Sequence, residues 1–333
     1  MAVMLGFEAL QGVLGMRDAI DLLEETSFHE AAGRTFIAPR TNTDFEGGSM
    51  RIIFGADYQA GYCATKAYHN IQGVGVRYVV LLYRLKDGEL LALLDGQIIT
   101  DLRTGAASGV VARRVQIAGP VTLGLIGSGN QARMQLESLA SVYRLDSVAV
   151  YSPTAARREA FAHEMSAKLG IPVTAVDSAE AAVRGRPVVA TASSSRSSEP
   201  ALRGEWLDRC RLLCAVGNTR PQFAEVDVRC FRDAGLVVVD SPLALEEAGD
   251  LRQAVKSGAL PQTKQATLAQ IVTGAASMPQ EGLVTFKSVG TALQDLALAA
   301  RYFELLGSHA GLPAAPDVAS LRRPARAVGR VRP

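Results

Sequence analysis

The sequence predicts an α/β protein: a doubly wound parallel sheet preceded by an α+β segment. Two patterns carry this. From Pro120 onward, short apolar strands alternate with amphipathic helices, as in a parallel sheet buried on both faces. Before Pro120, runs of β-forming residues are punctuated by Gly or Asp-Gly, as in an antiparallel sheet. A glycine loop at the first strand-to-helix junction after Pro120 adds a third observation.

In chain order, "MRDAIDLLEETSFHEAA" carries Ile20, Leu22, Leu23 and Phe28 at helical spacing. "RTFIAP", "SMRIIFG", "GYCATKAYHN", "VRYVVLLYRL", "ELLALLDG" and "QIIT" read as strands, and "RTGAASGVVARRV" returns to helix. "VTLGLIG" opens the parallel part. The helix "NQARMQLESLASVYR" follows, with Ala132, Leu136, Leu139 and Tyr143 on one face. "SVAVYS" is the next strand, and "TAARREAFAHEMSAKLG" a helix closed by Gly170. "PVTAV", "PVVATA", "RLLCAVG" and "LVVVDS" are further apolar strands; "TLAQIVTG", "LVTFKSVG" and the helix "TALQDLALAARYFELL" complete the pattern.

Composition narrows the function. Hydrophobic residues make up 48% of the 333 and charged residues 20%, as in an ordinary soluble protein. The net charge of +2 argues against a global pull toward nucleic acid or an acidic membrane surface. The N-terminus lacks the pattern of a signal peptide, and no apolar run has the ~18 residues of a membrane span. The expectation is a cytoplasmic protein with no nucleic-acid or membrane partner. Cys63, Cys210, Cys214 and Cys230 are too few for a disulfide framework, and with His29, His69, His163 and His309 they form no metal-binding spacing. Residues 321–333 read as a basic, flexible tail, with Arg322, Arg323, Arg326, Arg330 and Arg332 among prolines.

The glycine loop is "LGLIGSGNQA". Gly127 permits the tight turn, Gly129 lets backbone approach a pyrophosphate, and Ala132 lets the helix pack closely on the strand. Ser128, Asn130 and Gln131 complete the loop, and the helix N-terminus attracts the anion. The expectation is a Rossmann-type dinucleotide site, rather than a tight strand-to-helix turn with no ligand. At the end of the second strand, where an acid would hold the ribose of NAD, stand Tyr151, Ser152, Pro153 and Thr154, followed by Arg157 and Arg158. Hydroxyls and guanidinium groups suit a 2′-phosphate, so the expected cofactor is NADPH rather than NADH.

"DGQIITDLRTGAASGVVA", "GLIGSGNQA", "AVGNTRPQFAEVD" and "VTFKSVGTALQDLA" occur in that order. Together they resemble the ornithine cyclodeaminase / mu-crystallin family, over about Leu10 to Leu306. The resemblance implies a substrate-binding and dimerisation domain, here 1–118 with 300–320, and an NAD(P)-binding Rossmann domain, here 119–299. It implies a homodimer acting on a small amino or imino acid. The shared chemistry is hydride transfer between nicotinamide and the α-carbon.

Arg103 matches the family's "RT" motif and suits a carboxylate, because a guanidinium fork fits it; Thr104 beside it falls to the cofactor. Lys66 matches the active-site lysine, which binds the carboxylate or steers a proton. Arg40 resembles the first substrate arginine, at a slightly unusual spacing from Lys66. Arg77 stands where the family usually has an uncharged polar residue; inward, it would add an anion contact and favour an acidic imine, and outward it would be a plain sheet residue. Ser288, Val289 and Gly290 resemble the segment along the nicotinamide, and Val216, Gly217 and Asn218 the loop beside it.

The resemblance also gives a discriminator. Ornithine cyclodeaminases carry an aspartate where this chain has Thr219. A hydroxyl cannot serve as a carboxylate-type base, though it can hydrogen-bond an imine nitrogen or a bridging water. The expectation is therefore an NADPH-dependent reductase of a cyclic ketimine or α-imino carboxylate. An amino-acid dehydrogenase or cyclodeaminase is the alternative, and a non-catalytic dinucleotide-binding protein the second.

Overall fold

The structure is a computed structural model that describes residues 2–194, 199–308 and 313; His309 and the basic tail lie outside the described residues. Two sheets organise it. The first contains β1 (Val3–Leu5), β2 (Thr35–Ile37), β3 (Thr41–Phe45), β4 (Gly48–Asp57), β5 (Tyr62–Ile71), β6 (Gly75–Arg84) and β7 (Leu90–Asp95). Its order is β1-β7-β6-β5-β4-β2, with β3 also on β4. All pairs are antiparallel except β1 on β7, which is parallel and was not expected.

The second sheet contains β8 (Val121–Ile126), β9 (Leu145–Tyr151), β10 (Val173–Ala175), β11 (Val188–Thr191), β12 (Leu212–Ala215), β13 (Ala234–Val239), β14 (Gln265–Thr267) and β15 (Leu283–Lys287). It is parallel throughout, in the order β10-β9-β8-β11-β12-β15-β13-β14. This is the doubly wound sheet the apolar runs predict. The order reverses between β8 and β11, and ligands of such sheets bind outside the carboxyl ends of the strands at that point.

One expected strand is a helix. "QIIT" forms the first turn of the helix Gly96–Ala112. Its β-branched residues favour a strand, but the Asp95 carboxylate accepts from the Gln97 and Ile98 amides and starts the helix before them. The last long helix, Ala292–Leu306, lies against β4, β5 and β6 of the first sheet. The expected boundary at 299 falls inside it. Met4 donates its amide to the Pro313 carbonyl, which brings the end of the described chain to β1. No helix among the described residues is long and apolar enough to cross a membrane.

Candidate active site

A cavity of about 360 Å³ opens between the first sheet and the carboxyl ends of the second. Strand alternation decides what the first sheet contributes. Lys66, Tyr68 and Asn70 share one face of β5, and Val76 and Tyr78 the facing positions of β6; all five line the cavity. Arg51 of β4 stands opposite Tyr68 and lines it too. Arg77 pairs with His69 on the other face, and both are exposed. The assignment of Arg77 to substrate binding is therefore corrected: one residue of parity turns it away from the site.

Lys66 is buried and donates to Asp295 Oδ1 at 2.7 Å and to Thr100 Oγ1 at 3.2 Å. Its ammonium lies 5.6 Å from the ring centroids of both Tyr68 and Tyr78, which stack on each other. Burial lowers its pKa to about 8, with Asp295 holding it up against that penalty. Arg103, projecting from the helix Gly96–Ala112, donates through Nε to the same Asp295 oxygen at 3.3 Å. Two cations thus share one buried carboxylate, leaving an excess positive charge facing the cavity. Thr104 lines the cavity as well, with its hydroxyl turned back to the Thr100 carbonyl.

Arg40 lies on the cavity wall with most of its donors already engaged. They reach the Tyr68 hydroxyl at 2.5 Å, the Val289 and Gly290 carbonyls at 3.0 and 2.9 Å, and Glu247 at 3.2 Å. These bonds tie Arg40 to Tyr68, Glu247 and the backbone at 289–290. Burial would push the Tyr68 hydroxyl up, but Arg40, Arg51 and Lys66 outweigh it and bring the group below the usual tyrosine value. Arg51 Nη1 donates to Thr219 Oγ1 at 3.3 Å.

The loop after β12 forms the opposite wall, with Val216, Gly217, Asn218 and Thr219 all on the cavity. Buried Glu225 holds it, accepting from the Gly217 and Ser193 amides, each at 2.7 Å, and so tying the ends of β11 and β12 together. Lys287 lies 3.0 Å from Asp250 and 3.8 Å from Glu225, keeping that buried carboxylate company. Asp240, at the end of β13, accepts from the Val289 and Gly290 amides and from Ser288 Oγ in the segment after β15. Gly290 has φ +75°, and a Cβ there would run into the Arg103 guanidinium.

At the glycine loop, Gly127 has φ +118°, and a Cβ would meet the Ala192 carbonyl at 2.5 Å. Gly129 is exposed, and a Cβ would meet nothing within 4 Å. It precedes the helix Asn130–Val142, whose first amides lack intrahelical acceptors. Buried Ala132 lets that helix close on the sheet. Open space at Gly129 beside a helix N-terminus fits a pyrophosphate. Asn130 is exposed there, and Gln131 donates to Asp101 at the cavity edge. Ser128 Oγ donates to Ser152 Oγ at 2.9 Å, joining the ends of β8 and β9. Thr154 and Arg157 are exposed, while Arg158 reaches the Ser152 carbonyl and Asp177. The cavity thus brings Lys66, Arg103, Thr219, Val216, Gly217, Asn218, Ser288 and Val289 together, with Gln131 at its edge next to the glycine loop.

Arg51, Tyr68, Tyr78, Asp295 and Glu225 were not singled out in the sequence. Asp295 and Glu225 stand inside the motifs "VTFKSVGTALQDLA" and "AVGNTRPQFAEVD", where a buried acid facing two cations or two backbone amides carries no periodic signal. Tyr68 could have been found by stepping two residues from Lys66 along the strand.

A model of the ornithine cyclodeaminase/mu-crystallin family matches residues 2–308. A Δ1-pyrroline-2-carboxylate reductase of Bacillus cereus is 34% identical over 230 residues, 68% of this chain and 70% of that protein. The solved structure of the Thermococcus litoralis Δ1-pyrroline-2-carboxylate reductase, in complex with NADH and L-proline, superposes with a TM-score of 0.85. It is 29% identical, over 91% of this chain and 96% of that one. An archaeal alanine dehydrogenase dimer with bound NAD superposes with a TM-score of 0.83 at 27% identity, over 91% and 95% of the two chains.

Proposed function

This chain belongs to the ornithine cyclodeaminase/mu-crystallin family, and from that premise we propose that, as an NAD(P)-dependent oxidoreductase of C–N and C=N bonds, it reduces a cyclic ketimine or α-imino carboxylate. One observation carries the choice of reductase. Among the described residues no Asp or Glu lines the inner cavity, and the loop after β12 presents Thr219 to it. Deamination with ring closure needs a base to move protons between two amines. Reduction of an imine already formed needs a hydride, a proton and a clamp for the carboxylate.

Arg103 and Lys66 form that clamp, their shared Asp295 setting their positions and leaving net positive charge for the substrate. The Thr219 hydroxyl accepts from Arg51 and keeps its own hydrogen for the substrate nitrogen or a water. Ser288, Val289 and Gly290 on one side and Val216, Gly217 and Asn218 on the other would hold the nicotinamide beside the substrate. A bound nicotinamide supplies the hydride. Lys66, with a pKa of about 8, is suited to move a proton near neutral pH.

The test is a screen of NADPH oxidation across cyclic imines, and keto acids with ammonia or methylamine. Robust turnover of at least one imine is expected; ammonia release with proline formation from ornithine would overturn the reading.

The cofactor proposed is NADPH. The end of β9 offers the Ser152 hydroxyl and Arg157 and Arg158, with no acid at 151–154. The Thermococcus relative is in complex with NADH, so the comparison of Michaelis constants is informative. A KM for NADPH about tenfold below that for NADH is expected, and the reverse order refutes it.

The quaternary state proposed is a homodimer formed through the first sheet. Its helix-free face carries Phe54, Thr65, Leu81, Leu93 and Met4 in one register row across β4, β5, β6, β7 and β1. The archaeal alanine dehydrogenase neighbour is a dimer.

A further inference from the structure

The clamp at Lys66 and Arg103 accounts for one carboxylate. The cavity holds another cationic centre that it does not use. Arg51 stands opposite Tyr68 in the sheet, with its guanidinium 5.9 Å from that ring, whereas Lys66 lies two residues further along β5. The Arg51 guanidinium and the Lys66 ammonium both approach the Tyr68 ring, at 5.9 and 5.6 Å from its centroid, so one small ligand can meet both cations. Lys66 and Arg103 share Asp295, and Arg40 pairs with Glu247. Among the described residues, Arg51 forms no ion pair with a carboxylate; its polar partners are the neutral Thr219 hydroxyl and the Tyr68 hydroxyl.

Resting on the reductase reading above, we infer that the substrate carries a second carboxylate and that Arg51 binds it. A hydrocarbon ring edge placed there would strip water from a guanidinium and give nothing back. A carboxylate would accept two parallel hydrogen bonds from it. The surroundings also limit length. Arg40, Arg51, Thr219 and Arg220 also line an adjoining outer cavity of about 370 Å³, whose lining adds Asp44, Glu246 and Glu247. A carboxylate that stops at Arg51 meets cations, and one that reaches further meets acids. The class is therefore a short imino dicarboxylate.

The step balances without a further reagent. Ammonia and a 2-keto dicarboxylate lose water to give the imine. Hydride from NADPH forms the new C–H bond, the C=N π electrons take up a proton, and an amino dicarboxylate and NADP⁺ result.

The experiment compares kcat/KM for NADPH oxidation with oxaloacetate plus ammonium, pyruvate plus ammonium, and Δ1-pyrroline-2-carboxylate, each with an ammonium- or imine-free control. The dicarboxylic imine is expected to exceed both monocarboxylic imines by tenfold or more. Arg51→Gln should cut that ratio at least tenfold, and Arg51→Lys should restore part of it. In the wild-type enzyme, succinate should inhibit at a concentration about tenfold below butyrate, a readout that does not depend on the variant folding. If a monocarboxylic imine is reduced equally well or better, and succinate gains nothing over butyrate, Arg51 does not read a carboxylate, while the reductase reading stands. If no imine is reduced, the reductase reading fails and this inference falls with it.

Discussion

Lys66 is an ammonium group deep in a wall of aromatic rings, and its chemistry follows from that. Burial lowers its pKa to about 8 and Asp295 opposes the shift. The protonated form is the one that binds a carboxylate or donates a proton, so kcat/KM for the imine should fall as pH rises through about 8. Asp295→Asn removes the opposing carboxylate, so that alkaline limb should move to lower pH; Lys66→Arg should move it well upward, because a guanidinium stays charged. A limb unmoved in both variants would assign it to the substrate imine. Lys66 and Arg103 were legible because they stand in motifs. Arg51, Tyr78 and Arg77 were not, because alternation fixes which residues share a face but not which face is inward. That sign is set by register across β4, β5 and β6, which turns far from the site determine.

Elements position these residues, and two glycines separate the two jobs of the loops. Gly290 has a left-handed backbone and lies against the Arg103 guanidinium. Gly290→Ala should cost about 1–2 kcal/mol of backbone strain and displace Arg103. The expected result is a thermal midpoint lower by about 2–5 °C and a KM for the imine raised about tenfold. Gly129 has φ −90°, and a side chain there would meet no other part of the chain. Gly129→Ala should leave the midpoint nearly unchanged and raise the KM for NADPH. Equal behaviour of the two variants would contradict the proposal that Gly290, in the nicotinamide segment, also leaves room for the Arg103 guanidinium, whereas Gly129 leaves room for the pyrophosphate. The alternating apolar strands and helices made the parallel sheet legible. The order of its strands was not, because β15 inserts between β12 and β13 through contacts remote in sequence. The "QIIT" turn shows the same limit locally: strand propensity over four residues lost to one well-placed cap at Asp95.

At the scale of the whole molecule, the first sheet has two unlike faces. One faces the helices and the cavity: Gly55 lies against Ala292 of the last helix, and Lys66 and Tyr68 reach the site. The other keeps apolar side chains in solvent, with Met4 41%, Ile52 38% and Val79 45% exposed and Phe36 beside Phe54. Under the proposed homodimer, a second copy would cover this apolar face with favourable burial of area. The mass measured by light scattering should therefore be twice 35.3 kDa at micromolar concentration. Val79 points outward from the centre of β6, so Val79→Glu adds a charge without disturbing the packing beneath. That variant should run as a monomer, with its circular dichroism unchanged. Because Lys66, Tyr68 and Arg51 belong to the same strands that the partner would brace, the monomer should also lose imine turnover more than NADPH affinity. A wild-type chain of single mass would show that this face is left open, and a dimeric Val79→Glu variant would place the contact elsewhere.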